Sequence, residues 1–115
     1  MFIFVLTNMT NNKSYVKQSA IPEEDIDLLF ERAHNFSENE QEKYVAVAIR
    51  ETLREKWSVK IIECPDISTP DMFDLWLAYV KINSGFYPKG YNVRLPKSVV
   101  KGWLTIQKVL RNSKL

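Results

Sequence analysis

The last thirty residues hold the plainest chemical signal in this chain. Residues 86–115 carry Lys89, Arg94, Lys97, Lys101, Lys108, Arg111 and Lys114 and no acid. Residues 1–85 carry 9 Lys/Arg against 14 Asp/Glu. A run of one charge sign suits binding to a polyanion; it also reads as a solvated tail that offsets an acidic body. Within the run, Lys97, Lys101, Lys108 and Arg111 fall inside an arc of about 120° at ~100° per helical residue. Val99, Trp103, Ile106 and Leu110 make the opposing stripe. A basic C-terminal helix follows, packed on the domain through its apolar side or tracking phosphates with its basic side.

Other chemistries are poorly supplied. His34 is the one histidine and Cys64 the one cysteine. A His-based zinc cluster and an internal disulfide are therefore excluded. Cys64 follows the apolar Ile61-Ile62 step and reads as a buried, inert thiol. Three glycines, at 85, 90 and 102, cannot make a phosphate-cradling loop. Phe86-Tyr87 beside Lys89 can stack on exposed bases, although packing is the plainer role for aromatic residues. No apolar run reaches the ~20 residues of a membrane span. Met1–Asn8 lacks a basic leader and cleavage site and reads as a strand, so the expectation is a soluble protein of a reducing cytoplasm.

These side chains need a frame, and the hydrophobic pattern describes one. Residues 2–7 are apolar and β-favouring. An Asn-rich turn follows, then Tyr15-Val16 between polar neighbours, which predicts a hairpin. Ile21-Pro22-Glu23-Glu24 reads as a helix start, with Ile26, Leu29, Phe30 and Ala33 as its stripe. Ser37 and Glu40 have capping-box spacing, and a second helix is expected over about 40–56, with Leu53 and Trp57 on its apolar side. Residues 57–62 have strand chemistry. Ser68-Thr69-Pro70 opens a third helix, apolar almost all round and so expected to be buried on more than one side. The class is α+β: a small, mainly antiparallel three-stranded sheet flanked by helices. The chain divides into one domain over 1–93 and a basic helical extension over 94–115.

Phe2-Ile3-Phe4, then Asn11-Asn12-Lys13-Ser14-Tyr15-Val16-Lys17-Gln18-Ser19, and later Asn83-Ser84 and Gly90-Tyr91-Asn92 resemble the motifs of the GIY-YIG nuclease family. The likeness covers residues 2 to about 93. It implies a divalent metal (Mg or Mn) held by a glutamate of the third helix, a hairpin tyrosine that activates water, and an arginine of the first helix that steadies the phosphate. Tyr15 and Arg32 match the tyrosine and arginine. Other positions depart: Phe4 replaces the first-motif tyrosine and Lys17 a glycine. The glutamate position falls on Leu75 or Trp76, leaving Asp74 as the only metal candidate.

The resemblance thus implies an altered nuclease frame that binds rather than cuts and needs no cofactor. The target is DNA or RNA, met by Lys13, Lys17, Lys97, Lys101, Lys108 and Arg111, or a protein that handles nucleic acid. A phage or mobile-element origin, with an old nuclease reused as regulator or anti-defence inhibitor, suits that build. Two alternatives stay open. One is a diverged metal-dependent endonuclease. The other is an acidic protein-interaction module using Glu23, Glu24, Asp25, Asp27, Glu31, Glu38, Glu40 and Glu42, acids that otherwise form solvated helix faces.

Overall fold

The computed structural model describes residues 1–94. The apolar opening forms strand β1 (Phe2–Asn8), which turns through Asn12, at φ 60°, into β2 (Lys13–Ser19). Asparagine tolerates this left-handed conformation at low cost. The third strand, β3 (Trp57–Glu63), pairs antiparallel with the other side of β1, giving the order β2-β1-β3. β1 is thus paired along both edges, and helices cover both faces of the sheet, which is why its sequence is almost unbroken in apolar residues. Phe4, Leu6 and Tyr15 face one side and Ile3, Val5 and Val16 the other.

Helices α1 (Pro22–His34) and α2 (Lys43–Glu51) cover the first face, burying Ile26, Leu29, Phe30, Val45 and Ile49 against Phe4 and Leu6. Helix α3 (Thr69–Ile82) covers the second, with Met72 and Val80 buried beside Ile3 and Val5. Its start is capped by Ser68 Oγ, which accepts from the Asp71 amide. α3 buries one side only: Ala78 and Lys81 are exposed, and Ile82 is 77% exposed. A three-stranded sheet offers a helix one layer to pack against, and among the described residues no second layer covers it.

The second helix is shorter than its sequence suggests. Glu40–Glu42 forms a 3-10 turn before α2, and Thr52 is extended at φ −130°, ψ 130°. Arg54–Lys56 makes another 3-10 turn that delivers Trp57 to β3, opposite Asn8. Leu53 is left 69% exposed instead of lining the core. The capping box also shifts, from Ser37/Glu40 to Asn39/Glu42. Phe36, at φ 54°, ends α1 in a left-handed cap: its amide donates to Ala33 O and that of Ser37 to Arg32 O. Ser37 is spent on closing α1, so the next helical turn starts two residues later. Cys64 is buried. The expected C-terminal helix lies outside the described residues.

Candidate functional site

Among the described residues, the outer edge of β2 is closed by side chains and one loop amide rather than by a fourth strand. The Val16 amide donates to Asn92 Oδ1 at 2.9 Å, and Asn92 Nδ2 donates to Val16 O at 2.8 Å. Trp76 Nε1 donates to the same carbonyl at 2.9 Å, and the Tyr91 amide donates to Ser14 O. An amide side chain carries both N–H donors and a carbonyl acceptor and so can imitate a neighbouring strand. The loop that carries Asn92 is held tightly: a Cβ on Gly90 would lie 2.5 Å from Gly85 O, so only glycine lets the two segments cross. Beside this edge opens a cleft of about 350 Å³ lined by Tyr15, Lys17, Gln18, Gln41, Phe73, Trp76 and Asn92.

Behind Tyr15 lies an ion pair. Arg32 Nε donates to Glu42 Oε1 at 2.9 Å and its Nη2 to Oε2 at 2.5 Å, a bidentate fork. The two side chains are 30% and 1% exposed. Glu42 also accepts from the Asn39 amide. Burial, and then the Glu42 charge, push the Tyr15 phenol far above its ordinary range, against the opposing pull of Arg32. The bond to Glu42 raises the Arg32 guanidinium further, so its charge is fixed. Tyr15 thus keeps its proton at neutral pH.

Tyr15, Lys17 and Asn92 meet in one cleft, with Arg32 behind it. Lys13 lies apart, in a second cleft at the hairpin end. Lys97, Lys101, Lys108 and Arg111 lie outside the described residues. Phe4 is fully buried. Leu75 packs into the apolar cluster of Ile3, Val5 and Val16, and Trp76 uses its N–H on Val16 O. Asp74 is half-buried on α3. Among the described residues, no group of three or more His, Cys, Asp or Glu is placed to hold a metal ion. The expected carboxylate position on α3 thus carries apolar groups, Leu75 and Trp76.

Glu42 is the residue that reading the sequence misplaces. It stands among acids expected to be solvated, yet it is almost fully buried. Its Asn39-x-x-Glu42 spacing is the available signal, since a capping box turns the glutamate back toward the chain.

The hairpin, the third strand paired on β1, the helices on both faces and the closing loop define a GIY-YIG-like fold, as the motif order implies. Among solved structures, the catalytic domain of the homing endonuclease I-TevI shares this fold with a TM-score of 0.68 and 16% sequence identity. The match covers 81% of this chain and 97% of that one. No protein-family model matches the sequence, and no curated protein does. Among the described residues, no helix is long and apolar enough to cross a membrane.

Proposed function

We propose that this protein binds nucleic acid on a GIY-YIG-like frame without cutting it, and so serves a regulatory or inhibitory role. The observation that carries this reading is the Arg32–Glu42 fork. An arginine that steadies a scissile phosphate must present its donors to an anion. Here a buried carboxylate already takes two of them, and a phosphate brought to that site meets the Glu42 charge as well. The held proton of Tyr15 and the apolar Leu75 and Trp76 point the same way. The likeness to an endonuclease domain and residues 86–115, whose charged side chains are all basic, support nucleic acid as the ligand. A protein that itself handles nucleic acid is the related target.

The endonuclease reading retains one favourable observation: Tyr15, Lys17 and Asn92 line a single cleft. The acidic-module reading is weakened by internal pairing. Asp25 accepts from Ser19, Asp27 pairs with Arg54, Glu38 with Arg50, Glu40 with Lys43 and Glu42 with Arg32. The deciding experiment incubates the protein with single- and double-stranded DNA and RNA, with magnesium or manganese, and follows both cutting and salt-dependent binding. Binding without cutting is expected. Metal-dependent cutting abolished by Tyr15→Phe and Arg32→Ala would overturn the proposal.

A further inference from the structure

A second cleft, of about 480 Å³, opens at the hairpin end of the sheet, between that turn, α2 and the loop after α3. Tyr44 and Tyr87 stand in its wall with ring centroids 3.9 Å apart and planes inclined by 7°. The other aromatic pairs among the described residues meet tilted or edge-on and farther apart, from Phe73–Trp76 at 5.6 Å and 44° to Trp76–Phe86 at 6.4 Å and 88°. Tilted or offset contact is the usual preference between rings. Close parallel stacking is the geometry by which bases lie on aromatic side chains. Tyr87 is 46% exposed, while Tyr44 beneath it is half-buried. The outer member of the stack thus presents a flat ring to solvent on a supported base.

The loop bearing Tyr87 is already organised. The Tyr87 amide donates to Asn92 O, that of Gly90 to Phe86 O and that of Asn92 to Gly85 O. Binding on it therefore loses little conformational freedom. Cations line this cleft and a second one formed by the same loop. Lys13 lines the same cleft, and Lys89 follows Tyr87 by two residues. Lys81, Lys89 and Arg94 line a smaller adjoining cleft, where Arg94 lies over the Phe86 ring at 5.5 Å. Among the described residues none of these four enters an ion pair, whereas Arg32, Lys43, Arg50 and Arg54 all do. Glu51, also in the cleft wall, can accept from a base amino group.

Resting on the nucleic-acid reading above, we infer that this face is a single-strand site. An unpaired base stacks on Tyr87, and the flanking phosphates meet Lys89 and Lys13. Lys81 and Arg94 extend the basic track past the loop. A duplex keeps its base faces covered and cannot use the exposed ring, so the ligand class is single-stranded nucleic acid.

The test measures binding of a labelled oligodeoxyadenylate of about 12 nucleotides, and of its duplex with oligodeoxythymidylate, from about 50 to 200 mM salt. The wild type is expected to prefer the single strand. Tyr87→Ala is expected to weaken single-strand binding by about 10-fold or more, Tyr87→Phe by less than about 2-fold, and Lys89→Glu to flatten the salt dependence. Circular dichroism verifies that the variants fold. Single-strand binding that is salt-dependent but unchanged in Tyr87→Ala, or duplex binding as tight as single-strand binding, overturns this site and leaves the broader function standing. No binding of either form, or of the matching RNA strand and duplex, at the lowest salt overturns both.

Discussion

Replacing Glu42 by alanine removes the buried end of the Arg32–Glu42 fork and an acceptor for the Asn39 amide. Breaking one side of a buried ion pair costs about 3–5 kcal/mol when the remaining charge is stranded. Arg32 keeps 30% of its side chain in solvent and recovers part of its hydration, so about 2–3 kcal/mol is expected. For a domain of this size that lowers Tm by about 8–12 °C. The reciprocal change, Arg32→Leu, strands a carboxylate that is 1% exposed and should cost more. Urea unfolding of both single variants and of Arg32→Leu/Glu42→Leu, with Glu42→Leu as the matched single change, completes a double-mutant cycle. A coupling of at least about 1.5 kcal/mol is expected, within the range found for groups in contact. A loss under about 0.5 kcal/mol for Glu42→Ala, or additive energies in the cycle, refutes the fork as a stabilising lock and removes the main ground for a non-cutting role.

Tyr15 should give stability a pH dependence at alkaline values. The folded chain holds the phenol proton to higher pH than the unfolded chain, where tyrosine titrates near about 10. Its contribution is therefore full below pH ~10 and lost as pH rises above that, by up to about 1.4 kcal/mol per pH unit. Denaturant midpoints of wild type and Tyr15→Phe above pH ~10 should diverge, and parallel curves would contradict the assignment. Ser84, at φ 50°, ends α3 with its amide on Lys81 O and that of Gly85 on Val80 O. Ser84→Gly relieves a left-handed residue and should raise stability by about 0.5–1 kcal/mol in the same measurement. Gly90→Ala drives a methyl group into the Gly85 backbone and should cost more than about 2 kcal/mol, with loss of the near-ultraviolet dichroism of the Tyr87 region.

The elements with a clear apolar run, stripe or cap signal were legible from their order of residues. β1 announces itself by unbroken apolar residues, α1 by Pro22 and the acids after it, and α3 by Ser68 and Pro70. What stayed hidden depends on distant partners. Ser37/Glu40 and Asn39/Glu42 share one spacing, and the choice between them follows from how Phe36 closes α1. Glu42 looks solvated until Arg32 folds beside it, because charge pattern alone does not show burial. Motif order placed Tyr15 and Asn92 together, but the Asn92 contact to Val16 spans 76 residues. The stack of Tyr44 on Tyr87 joins a helix to a loop with no periodic signal between them.

The seal that Asn92 places on β2 gives the molecule a natural internal reporter. The Val16 amide proton sits on a strand edge, yet its acceptor is a side chain of the loop, not a neighbouring strand. Its exchange with solvent therefore follows the undocking of residues 85–92, while strand amides bonded between β1 and β3 follow opening of the sheet itself. Comparing the two exchange rates separates movement of the loop from unfolding of the domain, and a ligand seated on Tyr87 should slow the first and leave the second unchanged.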